Sequence, residues 1–573
     1  MTYLVIENFN GGLDTRRLEQ AAPAGSLQVL SNAQINRGGE IEKSKKFVIK
    51  YSLPPDTFGL EALNGELYAF GSVTSPTMPS GVLYQQLTVP SLAVMTGIVS
   101  SEIFSGGIYI VASFNDGKKY HFYNGTIIDD WENGIIVSSM ASLSDMATAL
   151  AALIDADPDV TAVAVGAVIT VEANVVNVPF TITGTAENKD GGVDDQTITI
   201  VETVAPSGAA KQKNTVTLAG TFEVGDKFTV IVNDNYYGSN WTTNRDVNQV
   251  FTHKNKVYAI ADSDLIFSGV AEPTKWMPQD IGSGVIDMTS QAANNEELTG
   301  LGSYQGSLAV FSRNTIQIWA MDADATSNAQ LQILDNIGTR SPKSIISFGD
   351  SDVFFLSDSG VRSLRSRDSS NSAGVNDIGT PIDNILIEAM RDLTSEQISG
   401  AVSAIEPKDG RYIVTLNDKT YVFTYFPSSK ISAWSTWDNG LIVTDYTVMN
   451  GQLWARSGND IYLYGGDNGT EYTDNEVTIE LPYLDARSIA SWKMWTGIDI
   501  IADGEWDVYV NTNPNQPTTW VKTATIYKHS IGQLKLSMQQ RSPVIKFKFV
   551  NNTSGSATIS KIIVHYKASA YSK

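Results

Sequence analysis

Ala62-Leu63-Asn64-Gly65-Glu66-Leu67-Tyr68-Ala69-Phe70 is the stretch that decides the fold class, because it reads as a strand, a tight turn and a second strand. Asn-Gly favours the two-residue turn that joins antiparallel strands. The same strand–turn–strand pattern recurs at residues 251–267, 301–319, 345–364, 404–425 and 446–464. From residue 251 onward the repeats start about 40–60 residues apart, which is the spacing of β-propeller blades.

This pattern predicts a mainly β protein whose propeller-like repeat body occupies residues 61–84 and 216–474. Residues 85–215 differ from the repeats and predict an inserted β-rich (α+β or β) module with one helix, Leu143–Ile154, capped by Ser142. Residues 475–573 predict a C-terminal β-sandwich, and residues 1–60 an extended segment that serves as an assembly arm. A second helix is expected at about 381–393. A set of unrelated β-hairpins in several sandwiches is the alternative architecture.

Composition excludes several classes of protein. The chain has 573 residues, with Lys+Arg 40 and Asp+Glu 62, so its formal charge is −22. This net negative charge argues against a protein that binds the phosphates of nucleic acids, because such binding requires clustered Lys and Arg. The absence of cysteine excludes disulfides, thiolate catalysis and iron–sulfur clusters. No run approaches the ~20 apolar residues of a membrane helix, and the first residues do not resemble a secretion signal.

The charge is distributed unevenly along the chain. Residues 1–50 carry about +2 and residues 487–573 about +7, which leaves about −31 for the middle. An ordinary solubilising surface explains this pattern. It is explained equally well by an acidic body that must not adhere to something nearby, or that docks to partners through its less acidic ends.

A search for chemistry predicts no catalytic residue, no cofactor and no resident metal. None of the four histidines has metal-ligand spacing with another. No nucleophile elbow, phosphate-binding loop or dinucleotide fingerprint is present. The acidic turn at 188–196, with carboxylates from Asp190 to Asp195, could hold Ca²⁺ but lacks the ordered calcium-loop spacing, so a solvated turn is the preferred interpretation.

Carboxylate pairs and tryptophans are the remaining candidates for glycan chemistry. Asp129-Asp130 and Glu296-Glu297 are adjacent in sequence, so strand geometry points each pair to opposite faces. Trp434, Trp437 and Trp454 could bind sugars, but in β-repeats such residues usually pack in the core. We therefore expect a protein that is not an enzyme.

Two stretches resemble a known family. The first is Ile6-Glu7-Asn8-Phe9-Asn10-Gly11-Gly12-Leu13-Asp14-Thr15-Arg16-Arg17, continued at residues 25–33 and 37–43. The second is Ile337-Gly338-Thr339-Arg340-Ser341-Pro342-Lys343-Ser344, continued at residues 353–364. Both are similar to the tail nozzle, or tail tubular protein B, family of short-tailed bacteriophages. Together they cover about a tenth of the chain directly.

The resemblance implies a structural subunit of a virion tail, made in the cytoplasm of the host bacterium. Such subunits would form a hexameric tube below the adaptor ring and portal, conduct double-stranded DNA without sequence-specific binding, and offer an outer surface to tail fibres. An acidic wall would let DNA slide past. Candidate contacts with neighbouring subunits or the adaptor are the cations of the N-terminal segment, although ordinary surface ion pairs explain them equally well: Arg16, Arg17, Arg37, Lys43, Lys45 and Lys46.

Two other functions remain open from the sequence. One is a carbohydrate-binding or depolymerising tail protein that contacts a host surface glycan. The other is a secreted bacterial propeller lectin. A ring in solution would favour the structural subunit, release of reducing sugars the depolymerase, and a glycan-binding monomer the lectin.

Overall fold

The computed structural model describes residues 2–89, 92–128, 142–155, 157, 159–187, 195–221, 227–232, 235–237, 247–276, 281–288, 296–349, 352–366, 373–489, 491–528 and 536–568. These residues are mainly β-structure and form two compact units. The first unit comprises Met1–Gln85, Ser263–Leu265 and Asp287–Lys573, and the second comprises Gln86–Asp262 and Ile266–Ile286.

The strands and helices are short and follow one another closely. The strands up to residue 127 are β1 (Thr2–Ile6), β2 (Val29–Ser31), β3 (Ala33–Ile35), β4 (Ile41–Lys43), β5 (Phe47–Ser52), β6 (Phe58–Leu63), β7 (Glu66–Gly71), β8 (Val82–Gln86), β9 (Met95–Phe104), β10 (Gly107–Phe114), β11 (Lys119–Tyr123) and β12 (Thr126–Ile127). Helix α1 (Leu143–Ile154) is then followed by β13 (Val160–Val165), β14 (Val168–Ala173), β15 (Ile182–Glu187), β16 (Thr197–Val204), β17 (Lys213–Ala219), β18 (Lys227–Val232) and β19 (Asn235–Tyr237).

The repeats follow. Up to residue 376 the strands are β20 (Val247–His253), β21 (Lys256–Ala261), β22 (Asp264–Phe267), β23 (Gly284–Asp287), β24 (Leu298–Tyr304), β25 (Ser307–Ser312), β26 (Thr315–Ala320), β27 (Ala329–Asp335), β28 (Ile346–Phe348), β29 (Asp352–Ser357), β30 (Gly360–Ser366) and β31 (Ala373–Asn376). After helices α2 (Asp383–Arg391) and α3 (Ser395–Ser399) come β32 (Val402–Glu406), β33 (Arg411–Leu416), β34 (Lys419–Phe426), β35 (Ile431–Trp437), β36 (Asp445–Met449), β37 (Gln452–Ser457) and β38 (Asp460–Tyr464). The last strands are β39 (Val477–Glu480), β40 (Lys493–Asp503), β41 (Trp506–Asn511), β42 (Val521–Ile526), β43 (Leu536–Ser542), β44 (Lys546–Asn551) and β45 (Thr558–Ala568).

The repeat body consists of antiparallel sheets in which consecutive strands are neighbours, as in propeller blades. In the first unit these sheets are β6–β8, β24–β27, β28–β31, β32–β35 and β36–β38 with β5. In the second unit they are β9–β12 and β20–β23. Each of the six predicted repeats lies in one of these sheets, so the prediction of a propeller-like body is confirmed.

Strand β5 completes a sheet whose other strands come some 400 residues later. It pairs antiparallel with β38, with Phe47 opposite Tyr464. Ser52 Oγ donates to Asp460 Oδ1 at 2.6 Å across a separation of 408 residues. This blade-like sheet therefore combines a strand of the N-terminal segment with three strands of the last repeat.

The inserted module contains α1, the four-stranded sheet β13-β14-β17-β16 and the three-stranded sheet β15-β18-β19. Helix α1 forms where it was predicted, with Ser142 Oγ accepting the Asp145 N–H as N-cap. Its buried stripe, Met146, Leu150 and Ile154 among others, packs with the apolar faces of both sheets in one core. The prediction assigned residues 85–215 to this module. The structure instead places residues 95–127 in a blade-like sheet, and the strands of the module extend to residue 237.

The C-terminal β-sandwich has two sheets that share strands with the N-terminal segment. One sheet is β3-β4-β45-β40-β43 with β1 on β45, and the other runs β35-β2-β39-β44-β41-β42. Buried residues from both, such as Trp495, Ile500, Val508 and Phe549, pack in one core. Residues 1–60 therefore supply strands and do not form an extended arm, and the sheets of the sandwich predicted at 475–573 also include β1–β4. This strand sharing could not be predicted from the sequence, because strands of three residues are too short to show an alternation of apolar and polar residues.

Candidate functional site

The predicted contact residues near the start of the chain bind carboxylates of the same chain. Arg16 Nη1 lies 3.4 Å from Asp383 Oδ2, and Arg17 Nε lies 3.4 Å from Asp14 Oδ2. Both arginine side chains are more than half exposed. They lie on the surface with intramolecular partners, so the structure shows ordinary ion pairs and leaves a contact with another subunit a prediction.

Lys43 is different, because it is buried. Its Nζ donates to Asn551 Oδ1 at 3.0 Å and to Thr553 O, and the residue is 1% exposed. Burial lowers the pKa of this ammonium group, while Asp474 opposes the shift. Lys43 joins β4 to the end of β44 and offers almost no surface to another subunit, so its expected role as an assembly contact stays a prediction.

Arg37, Lys45 and Lys46 lie around two clefts of the first unit. Arg37 Nε is 3.4 Å from Asp409 Oδ1, and the side chain is 65% exposed. Lys45 Nζ lies 3.4 Å from the centroid of the Tyr472 ring, and Lys46 pairs with Asp474. Lys45 lines both clefts.

The first of these, which we call the Arg411 cleft, has a volume of about 470 Å³. It is bounded by the β3–β4 hairpin, the turn between β32 and β33, and the turns that follow β36 and β38. Four basic side chains line it, namely Arg37, Lys45, Lys408 and Arg411. Three acidic side chains also line it, namely Glu42, Glu406 and Asp409.

Arg411 organises the charges of this cleft. Its side chain is 3% exposed, and its Nη1 lies 2.7 Å from Asp409 Oδ2 and 3.8 Å from Glu406 Oε2. Nη2 lies 3.1 Å from Glu42 Oε1. Glu406 also accepts the backbone N–H groups of Lys408 and Asp409, which fixes the turn. Buried charges are stable when paired and hydrogen-bonded in this way.

The second cleft, the Trp437 cleft, has a volume of about 420 Å³ and lies beside the start of β5. Its lining combines apolar side chains, among them Phe47 and Trp437, with the amides of Asn32 and Asn439. Trp437 is 2% exposed and packs in a core cluster, as do Trp434 (1%) and Trp454 (5%) in theirs. These tryptophans are core residues, as the preferred interpretation of the sequence held.

The first family-like stretch packs tightly against the blade β32–β35. Gly12 has φ +52°, and a Cβ there would lie 2.7 Å from Ala433 Cβ. Leu13 N donates to Trp434 O at 2.9 Å. Gly25 has φ +106°, and a Cβ there would lie 2.4 Å from Asn8 O. Glycine is required at both positions, because the neighbouring backbone leaves no room for a side chain.

The second family-like stretch joins two blades. Thr339 Oγ1 donates to Leu356 O, and Ser341 Oγ donates to Ile398 O, both at 2.5 Å. Ser344 Oγ accepts the Leu356 N–H at 3.1 Å. All three hydroxyl residues are buried. The stretch therefore ties β29 to the segment that enters β32.

The other residues singled out for chemistry have structural roles where they are described. His121 Nδ1 lies 2.9 Å from Tyr109 Oη in a buried site, and burial, with Lys119 nearby, lowers the pKa of His121 well below 6.5. His565 Nε2 lies 2.7 Å from Asp499 Oδ2. Glu296 accepts two hydrogen bonds from Asn314.

Some predicted positions lie outside the described residues, namely His529, Asp129-Asp130 and residues 188–194. Asp195, at the edge of that acidic turn, accepts the Thr221 N–H at 2.7 Å. Among the described side chains no group of three or more His, Asp or Glu could hold a metal ion. Nor does the described part of the chain contain a helix long and apolar enough to span a membrane.

The Arg411 cleft was not found from the sequence. The sequence predicts residues 404–425 only as a strand–turn–strand repeat, and nothing local indicates that Arg411 contacts Glu42, 369 residues away. A signal was present in the turn itself, since Lys408, Asp409 and Arg411 concentrate charge in an otherwise sparsely charged stretch.

Comparison with known proteins gives distant structural likenesses. No protein-family model and no curated protein matches the chain. Among solved structures it is similar to BamB from Moraxella catarrhalis, with 12% identity and a TM-score of 0.34 over 73% of this chain and 96% of BamB. It is also similar to the AfRom2 CNH domain, with 12% identity and a TM-score of 0.23 over 44% of this chain and 76% of that domain.

Proposed function

We propose that this chain is a structural subunit of the short tail of a bacteriophage, a tail nozzle protein. Six copies would form a ring that continues the channel of the portal and adaptor. The ring would retain the genome in the virion and conduct it at ejection, and its outer surface would receive tail fibres.

The observation that carries the proposal is the position of the two family-like stretches. The first packs against β35 through Gly12 and Leu13, and the second joins β29 to the segment before β32. The two stretches that resemble the tail nozzle family thus connect several sheets of the first unit. Such contacts within the chain suit a subunit whose role is structural.

Charge supports the same proposal. The chain carries −22, and cations of the N-terminal segment, Arg16, Arg17, Arg37 and Lys46, lie against carboxylates of their own chain. A negative wall repels DNA at short range, so a passing duplex would slide without being held.

Native mass spectrometry and negative-stain microscopy of the purified protein test the proposal. The expected result is a ring with a central opening and a mass six times the 62.1 kDa of one chain. Calculating the surface potential of the channel from the imaged ring should give a negative lining. A monomer across the micromolar range, a toroid without an opening, or a basic lining would each contradict the proposal.

A further inference from the structure

We propose that the Arg411 cleft is a binding site for an acidic saccharide, a sugar unit that carries a carboxylate. The inference does not depend on the proposed tail function, because it rests on the cleft of a single chain. Its volume, about 470 Å³, lies within the range of about 300–1,000 Å³ that is usual for small-ligand sites.

The cleft contains buried polar atoms that lack a partner among the described residues. Gln34 is 1% exposed, and its Oε1 accepts no hydrogen bond, although its Nε2 donates to Glu42 Oε1 at 2.8 Å. Arg411 Nε is likewise a buried donor without a hydrogen-bond acceptor. Buried polar atoms are costly when unsatisfied. Both atoms belong to residues that line the cleft, and a hydroxyl, which donates and accepts, is a group that could satisfy one of each kind.

The remaining lining has the chemistry that sugars require. The carboxylates of Glu42 and Asp409 line the cleft, and carboxylate oxygens accept hydrogen bonds from hydroxyls. The half-buried Tyr472 ring also lines the cleft, with Lys45 Nζ 3.4 Å from its centroid. A small number of placed polar groups next to an aromatic ring is typical of small-molecule sites.

Charge indicates that the sugar is acidic. The three carboxylates of the cleft lie around Arg411, which is buried and compensated. Arg37 and Lys408 are exposed at the rim, and Arg37 has one carboxylate contact at 3.4 Å. On a chain of net charge −22, a cleft with four cations and three anions is a place where a ligand carboxylate can approach. Arg37 would bind that carboxylate through charge-assisted hydrogen bonds.

Saturation-transfer NMR and calorimetry with the full chain test this assignment. The acidic probes are tetragalacturonate, a hyaluronan tetrasaccharide and α2,8-linked trisialic acid, and maltotetraose is the neutral probe. We expect at least one acidic probe to bind and maltotetraose not to bind. Arg37→Ala should weaken that binding about tenfold.

Arg313→Ala is the matched control. Arg313 is 57% exposed and pairs with Asp358 at 2.9 Å, much as Arg37 pairs with Asp409, but it does not line the cleft. This variant should bind the acidic probe like the natural sequence. The assignment is overturned if no acidic probe binds, if maltotetraose binds equally well, or if both variants lose affinity equally. It is also overturned if acetate or a tetraglutamate peptide displaces the sugar at equal concentration.

Discussion

Replacing Arg411 with methionine is expected to destabilise the first unit strongly. The side chain is 3% exposed and neutralises Glu406, whose side chain is 6% exposed. Without Arg411 this carboxylate stays buried next to Asp409 and loses its cation. Breaking a buried ion pair by removing one partner costs roughly 3–5 kcal/mol. At 1.4 kcal/mol per factor of ten, the unfolded population should rise by about two to three and a half orders of magnitude.

A double-variant cycle distinguishes charge burial from lost packing. Glu406→Gln keeps an acceptor for the backbone N–H groups of Lys408 and Asp409 while it removes the negative charge. The Arg411→Met/Glu406→Gln variant should therefore recover roughly 1–3 kcal/mol of what Arg411→Met loses. Lys561→Met, which breaks the partly exposed pair with Glu7, is the control and should cost about 1 kcal/mol or less.

The assay is guanidinium unfolding followed by tryptophan fluorescence and circular dichroism. Equal losses for Arg411→Met and for the double variant would show that charge burial is not the cause. A loss below about 1 kcal/mol for Arg411→Met would refute the reasoning altogether.

Three further predictions follow from features of the fold. Gly25→Ala should cost more than about 2 kcal/mol of stability, because the new Cβ would lie 2.4 Å from Asn8 O. Gly555→Ala, also at positive φ but with nothing within 4 Å of the new Cβ, should cost only about 1 kcal/mol. Thermal unfolding of the two variants tests this difference in stability. Ser142→Ala should remove the N-cap of α1 and cost about 1 kcal/mol, and an unchanged melting curve of the helical signal would contradict this. Because burial lowers the pKa of His121, the folded state binds fewer protons than the unfolded one, so stability should fall as the pH drops below about 6.5. His121→Gln should flatten this dependence in urea unfolding between pH values of about 7.5 and 5.5, and an unchanged slope would contradict the assignment.

The repeats could be predicted because their turns are local. In Asn64-Gly65 and Asn450-Gly451 both residues have positive φ, as type I′ hairpin turns require. The Asn-Gly pair itself predicts such a turn. Ser105-Gly106 and Asn124-Gly125 also have positive φ at both residues. They form the turns between β9 and β10 and between β11 and β12. The prediction nevertheless assigned the β9–β12 sheet to the inserted module, because residues 85–215 differ in composition from the repeats.

Long-range pairing could not be predicted. Strands β2, β3 and β4 have three residues each, too few for a pattern, and each gains its place from a distant partner. Leu30 lies opposite Ile479, and Ile41 lies opposite Ile559. The Arg411 cleft depends on the same pairing, since β4 brings Glu42 to the β32–β33 turn. Its polar lining therefore carries no local signature.

The pairing of β1 with β45 has a consequence for biosynthesis. Thr2 lies opposite Tyr566, and Lys43 donates to Asn551 across 508 residues. At least 508 residues separate these partners, so at about 5–20 residues per second the earlier segment is synthesised roughly half a minute to two minutes before the later one. During that interval the earlier segment must stay unaggregated, and the first unit can close only after translation has passed its last strand. A chain that ends before β45 therefore lacks the strand on which β1 and β4 pair.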